Sequence, residues 1–295
     1  MTDDIPPTRP GARRPEPGLH LVATPIGAAR DITLRALDIL AGADLLAAED
    51  TRTLRHLMEI HGIPLGGRHI VAYHDHNGDV ARPRILAALA EGKSVAYASE
   101  AGTPLVADPG MKLARAAIDA GHRVLAAPGP SAVLAALSVA GLPTDRFLFA
   151  GFPPSAAGAR RSWMAELAAV PATLVIYESP KRVSRTLGEL CEVLGGERLG
   201  ALCRELTKRF EDVSRGTLEQ LAGQFAGQEP KGEIVLVIDR AGETAPAEGE
   251  VEAALARALM VPGARVKDVA TEVAARFGLA RRDVYQMALK QAERE

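Results

Sequence analysis

Three acidic residues stand where a short apolar run gives way to a polar one: Glu49 and Asp50 in AAEDTR, and Glu178 in YESPKR. A carboxylate at the carboxyl end of a strand can take a proton from a bound hydroxyl. It can equally cap the following helix or pair with a nearby Arg. For Asp50, which precedes TRTLR, the cap is the stronger reading. His74 and His76 in YHDHN could take the same proton but rank behind the carboxylates. They lie two apart on a stretch read as extended, so they face one side while Asp75 points away. That spacing could hold a metal, but no second cluster completes a site and none is expected.

Four short loops each follow a strand-like run: TPIG (24–27), SEAGTP (99–104), PGPSA (128–132) and YESPKR (177–182). In an open parallel sheet, ligands bind beyond the carboxyl ends of the strands, where such loops meet. Neither G-x-G-x-x-G nor G-x-x-x-x-G-K-[ST] occurs, so the common nucleotide fingerprints are absent. Gly102, Gly110 and Gly129 allow close backbone approach or a positive φ, and the prolines stiffen the loops. Little positive charge lies in them. They suit an adenosine-like or amino-acid-like ligand, held by backbone atoms, better than a bare triphosphate. Any one loop could be only a tight turn; all four converging at one rim points to a ligand.

The elements that must position these loops follow from periodicity. GLHLVATP (18–25), DLLAAED (44–50), HIVAYHDHN (69–77), SVAYASEAGTP (94–104) and HRVLAAPGPS (122–131) read as strands. Helical runs separate them, the first over 32–43 with Asp31 as its N-cap. This alternation predicts a parallel sheet covered on both faces. In the second half RFLFAGFPP, ATLVIYESP, RLGALCREL and GEIVLVIDR read as strands with helices between them, a mixed α/β domain. The expected division is a Pro-rich disordered tail at 1–17, an α/β domain at 18–143, a second at 144–240, a linker at 241–250 and a small helical domain at 251–295. Residues 261–290 carry six Lys/Arg against three Asp/Glu, and GLARR between the last two helices suggests a helix-turn-helix.

Composition narrows the setting. No apolar run approaches the roughly 20 residues of a membrane span, and the N-terminus lacks the apolar segment of a secretory signal. Two cysteines, Cys191 and Cys203, without C-x-x-C, argue against a disulfide scaffold and for the cytoplasm. A net charge of −2 leaves nucleic-acid binding to local patches.

Taken in order, LHLVATPIG, DITLRAL, AAEDTRTLRHLMEIHGI, YHDHN, SEAGTPLVADPG, PGPSAVLAALSVAGLPTDRFLFAGFPP, YESPKR, CRELTKRFEDVSRGTLEQL and KGEIVLVI closely resemble the bacterial ribosomal RNA small subunit methyltransferase I family, over residues 19–238. That family is a branch of the tetrapyrrole-methylase (class III methyltransferase) fold. Departures are Ala28-Ala29 where the family usually has Asn-Leu, Glu100 for Asp, and Lys181 for His. The resemblance implies two α/β domains with a cleft between them and a small C-terminal helical domain. It implies S-adenosyl-L-methionine held by Pro25, Glu100, Ala101, Gly102, Thr103, Pro128, Ser131, Ala132 and Tyr177. The implied reaction is 2′-O-ribose methylation of a decoding-centre cytidine of 16S rRNA, cytidine 1402, in the 30S subunit, by a homodimer. For that chemistry Glu49, Asp50 and Glu178 are the leading bases, unless positioning alone supplies the rate. Arg52, Arg55, Lys181, Arg182 and Lys208 are the expected RNA contacts, with Arg185, Arg204 and Arg209 beside them and polar contacts from His74 and His76. Two alternatives remain: a non-enzymatic ribosome-assembly or RNA-binding factor, and a tetrapyrrole methylase. Against the latter, VATPIG stands where those enzymes carry a Gly-rich loop.

Overall fold

A computed structural model of the chain describes residues 14–74, 76–241, 249–261, 264–277 and 279–292. Of the tail expected at 1–17 and the linker expected at 241–250, residues 1–13 and 242–248 lie outside the described residues, as does Asp75, while Glu16 of the tail is held by Arg123 at 2.6 Å.

The first sheet holds β1 (Gly18–Val22), β2 (Leu45–Ala48), β3 (Ile70–Ala72), β4 (Ser94–Ala98) and β5 (Val124–Ala127), in the order β3-β2-β4-β1-β5. All its pairings are parallel. The strands alternate between two cores. Ala96 and Ala98 face α1 (Leu34–Gly42) and α2 (Thr51–Ile60), packing with Leu40, Leu54 and Met58. Val95 and Tyr97 face α3 (Gly78–Ala90) and α4 (Met111–Asp119), packing with Ile85, Leu89 and Leu113. Burial on both sides is why these strands are short continuous apolar runs.

Two local readings change. The N-cap of α1 is Thr33, not Asp31: its hydroxyl accepts the Ala36 N–H at 3.2 Å. And β3 stops at Ala72. The Asn77 side chain folds the chain back, accepting the His74 N–H at 2.8 Å and donating to the Ala72 carbonyl at 2.9 Å. His74 and His76 therefore sit around a turn, not on an extended strand, with ring centroids 6.1 Å apart.

The second sheet is mixed. Its strands β6 (Phe147–Gly151), β7 (Thr173–Glu178), β8 (Leu199–Arg204), β9 (Asp212–Thr217) and β10 (Ile234–Ile238) run in the order β6-β7-β10-β8-β9. Only β6 and β7 are parallel. β9, an edge strand reading DVSRGT, went unread because it lacks apolar alternation. The helices of this half are α5 (Ala132–Ala140), α6 (Ala157–Ala168), α7 (Pro180–Leu194) and α8 (Leu218–Gln224). Although α5 precedes residue 143, it packs on the second sheet, where Val133, Ala136 and Leu137 meet Val175, Ala201, Cys203 and Val237. Ile26, from the loop after β1, joins the same core. Both sheets belong to one compact unit that ends at Asp239.

The C-terminal unit, described by itself, has three helices: α9 (Glu250–Leu259), α10 (Val266–Phe277) and α11 (Arg281–Ala292). Leu255, Ala270, Val273, Val284 and Ala288 form its own buried core.

Candidate active site

A cavity of about 480 Å³ opens at the carboxyl edge of the first sheet, against the matching edge of the second. That volume suits a drug-sized ligand. The chain reaches it after β1 at Ile26, after β2 at Glu49, after β4 at Glu100–Thr103 and before α5 at Ser131 and Ala132. From the second sheet come Tyr177 and Glu178, at the end of β7, and Gly232–Val235, at the start of the antiparallel β10.

Backbone and hydroxyl contacts stitch the loops together. Thr24 and Gly102 exchange N–H to carbonyl bonds of 3.0 Å each. The Ser99 hydroxyl donates to the Gly102 carbonyl at 2.8 Å, and the Thr103 hydroxyl to the Pro130 carbonyl at 2.8 Å. Gly102 has φ +79°, and a Cβ there would stand 3.2 Å from Ile26 Cγ2. The left-handed backbone and this close neighbour make any larger side chain at Gly102, valine included, a strain on the loop. Farther along, Leu105 and Ala107 hold φ +73° and +56° without being glycine. Such strain concentrates where a loop must aim a side chain, and the next residue is Asp108.

Of the expected donor-site residues, Glu100, Ala101, Gly102, Thr103, Ser131, Ala132 and Tyr177 line the cavity. Pro25 and Pro128 do not; they set the loops behind it, and the Pro128 carbonyl accepts a long 3.5 Å bond from Thr33. Ser131 is the N-cap residue of α5 but makes no side-chain cap bond, which leaves its hydroxyl available to a ligand. Tyr177 packs edge-on to Phe149 and Phe152, with centroids 4.7 and 5.5 Å away. Sequence reasoning missed Asp108, Val106, Phe152 and the Gly232–Val235 segment. LVADPG was in plain view, and its acid following a Gly/Pro-rich turn was the usable signal.

The carboxylates separate by what they already hold. Asp50 accepts the Arg52 and Thr53 N–H groups and pairs with Arg52 at 2.8 Å. These contacts, Arg52 foremost, hold its carboxyl down at about 2. It caps α2 and is a poor proton acceptor. Glu178 is wholly buried and saturated, accepting from Ser179 N at 2.7 Å, Arg182 Nε at 2.8 Å and Thr186 Oγ1 at 2.6 Å. Glu49 and Asp108 differ. Both line the cavity, and Asp108 Oδ2 is buried with no hydrogen-bond partner among the described residues. Its Oδ1 receives a 3.3 Å contact from the Tyr97 hydroxyl, and the Glu49 and Ser99 side chains also interact with the carboxyl. Burial, then the charge of Glu49, pushes Asp108 up to about 7. Burial and Glu49 also raise Glu100 above its ordinary range.

The expected RNA-contacting cations divide the same way. Arg55 and Lys181 are exposed, as is Arg52, which nevertheless pairs with Asp50 at 2.8 Å. Arg182 is tied to Glu178, and Lys208 is shared at 2.9 Å by Glu205 and Glu233. The cavity wall itself, among the described residues, carries Glu49, Glu100, Asp108, Glu178 and Glu233 and no Lys, Arg or His.

The family model for tetrapyrrole (corrin/porphyrin) methylases matches residues 18–222, and that for the RsmI C-terminal HTH domain matches residues 245–292. The chain is 48% identical over 281 residues to ribosomal RNA small subunit methyltransferase I of Mesorhizobium japonicum, spanning 95% of this chain and 94% of that one. The chain belongs to the ribosomal RNA small subunit methyltransferase I family. The protein of the same name from Mycobacterium tuberculosis is 44% identical over 94% of this chain and 96% of its own length, and that of Escherichia coli O157:H7 is 40% identical over 92% and 95%. The family's fold extends to solved structures of low identity. Uroporphyrin-III-C-methyltransferase from Thermus thermophilus superposes with a TM-score of 0.52 at 24% identity, over 74% of this chain and 93% of that one. Diphthine synthase does so with 0.55 at 15%, over 75% and 89%. In this methyltransferase family, an acid-lined wall without a basic side chain suits a cationic methyl donor, because a nearby Lys or Arg would oppose it.

Proposed function

We propose that this chain transfers a methyl group from S-adenosyl-L-methionine to the ribose 2′-oxygen of a decoding-centre cytidine of 16S rRNA, presented by the 30S subunit. The observation that carries the reading is the cavity wall: among the described residues, five acids, no cation, and one buried carboxylate oxygen without a partner. Bound there, S-adenosylmethionine would supply a methyl on a sulfonium that is already a good leaving group.

The residues that would hold the donor are Glu100–Thr103, Ser131, Ala132 and Tyr177, through backbone groups, a hydroxyl and an aromatic face. Pro25 and Pro128 set the loops behind them. The Glu49–Asp108 pair takes the 2′-hydroxyl proton. Burial and the neighbouring charge of Glu49 raise the Asp108 carboxyl to about 7, and an acceptor near neutrality is matched to an alcohol at working pH. Glu178 and Asp50 hold the rim in shape. Arg52, Arg55 and Lys181 meet RNA phosphates, assisted by the basic C-terminal helices. The working form is a cytoplasmic homodimer, which light scattering of the purified chain would check.

The deciding experiment is methyl transfer from labelled S-adenosylmethionine to 30S subunits of a strain lacking this modification, read by mass spectrometry of rRNA nucleosides. New 2′-O-methylcytidine in the decoding region is the expected result. Donor binding without transfer would point to another acceptor, and neither binding nor transfer to a non-enzymatic assembly factor.

A further inference from the structure

Beside the large cavity lies a smaller one of about 240 Å³, and the two share Ala107 and Asp108 as a common wall. Its other sides are the starts of α3 and α4, with Tyr73, His74, Arg82 and Lys112. These helices are 13 and 9 residues long, and neither start carries a side-chain cap at Asn77 or Gly110. The N–H groups at Gly78, Asp79, Met111 and Lys112 have no partner within their own helices, and both helix dipoles turn their positive ends here. Independently of the helices, the Nδ1 atom of the part-buried His74 is out of contact with water and has no hydrogen-bond partner among the described residues. Lys112 is exposed at the mouth. Arg82 makes loose contacts to Asp79 at 3.2 Å and to the Tyr73 hydroxyl at 3.4 Å. Two acids share this wall: Asp79 pairs with Arg82, its side chain 95% exposed, and Asp108 opposes an anion only once it has lost its proton, so phosphate binding here should weaken as pH rises past about 7. An uncapped helix start facing another, with convergent Arg, Lys and His side chains, is an anion site.

We infer that this smaller cavity binds one phosphodiester of the RNA substrate, that on the 3′ side of the methylated ribose. The inference rests on the methyl-transfer reading of the larger cavity. In a ribonucleotide, the carbon bearing the 2′-hydroxyl is bonded to the carbon bearing the 3′-phosphate. A 2′-hydroxyl held against Asp108 in the larger cavity therefore leaves its 3′-phosphate within about 4 Å of the wall that the two cavities share. The two sites together would demand an internal RNA nucleotide. They also give YHDHN a role that neither metal binding nor proton removal gives it.

The test titrates the full chain, with S-adenosylhomocysteine bound, using inorganic phosphate, cytidine and cytidine 3′-monophosphate, while backbone amides are followed by NMR. The expected result is that both phosphates, and not cytidine, shift the amides of Gly78, Asp79, Met111 and Lys112. In Lys112→Glu and in His74→Gln, phosphate affinity falls about tenfold or more. The same variants raise KM for 30S subunits about tenfold while S-adenosylhomocysteine affinity moves by less than about twofold. Lys112 is exposed, so its exchange does not threaten folding. Phosphate shifts elsewhere would overturn the site. So would phosphate binding here with 30S methylation unmoved by Lys112→Glu, which would mark a site for free phosphate alone. A wild-type chain that transfers no methyl would count against the reading of the larger cavity, and the phosphate titration, which needs no transfer, would still decide the site.

Discussion

The two rims of the cleft are built from the same residue types and use them differently. On the second-sheet rim Glu178, Arg182 and Lys208 are already spent: Glu178 holds Ser179, Arg182 and Thr186, while Lys208 holds Glu205 and Glu233. On the first-sheet rim, Asp108 keeps a buried oxygen with no partner among the described residues, facing a cavity that Glu49 also lines. A saturated carboxylate is architecture, because taking a proton would forfeit the bonds that hold it. An unsatisfied one is costly to bury and persists where it has work to do. Saturation, more than residue type, separates scaffold from chemistry.

The sharpest way to break that comparison is to neutralise one carboxylate on each rim. Asp108→Asn keeps shape and removes the proton acceptor. The single-turnover rate on 30S subunits should fall about 10²- to 10³-fold, with S-adenosylmethionine affinity nearly unchanged. Glu178→Gln should fall far less in rate. If the two variants lose rate equally, the distinction between the rims is wrong.

The pH profile sharpens the same point. The folded Asp108 carboxyl sits at about 7, against an ordinary 3.8. Between those values the folded chain keeps a proton that the unfolded chain has released. The stability this group contributes is therefore complete below the ordinary carboxylate value and declines as pH climbs toward 7. Rate runs the other way, rising about tenfold per pH unit below 7 as the base is freed, then levelling. Opposite slopes of rate and stability over one window, both removed by Asp108→Asn, are the expected signature. A rate flat from pH 5 to 8 would show that positioning alone carries catalysis.

Next in size is a loss of stability without a loss of chemistry. Glu178→Gln leaves the Arg182 guanidinium, whose side chain is only 22% exposed, without its counter-charge. Breaking such a pair should cost about 2–4 kcal/mol in urea unfolding. Gly102→Ala, at φ +79°, should cost about 1–2 kcal/mol and weaken donor binding with it. Full donor affinity in a destabilised Gly102→Ala would detach that loop from the ligand.

Much of this was legible in the sequence, for a physical reason. Strands buried on both faces write themselves as apolar runs, and stiff Gly/Pro loops at their ends mark the rims, so TPIG, SEAGTP and PGPSA on the first sheet and YESPKR on the second could be placed at strand ends from the sequence. What stayed hidden depended on contacts between distant segments. Nothing local says that Glu178 is satisfied by Thr186, or that α5 leaves the first sheet to cover Cys203 and Val237. The start of β10 reaches the cavity only because that strand runs antiparallel to β7. β9 is polar, and YHDHN mimics a strand until Asn77 turns it back.

The smallest effect tests the cations by the same rule. Arg55 is exposed on α2, and Lys181 is exposed near the start of α7, whereas Arg182, one residue on, is committed to Glu178. A free cation near a phosphate releases counterions on binding; a paired one has already lost its own. Arg55→Ala or Lys181→Ala should weaken 30S binding several-fold, reduce the salt slope by about one, and shift stability by less than about 0.5 kcal/mol. Lys208→Ala should do the reverse, disturbing stability through Glu205 and Glu233 while leaving the slope unchanged. If Lys208→Ala lowers the slope as much as Arg55→Ala, its ion pairs open on binding, and saturation in the free protein would no longer separate scaffold from contact.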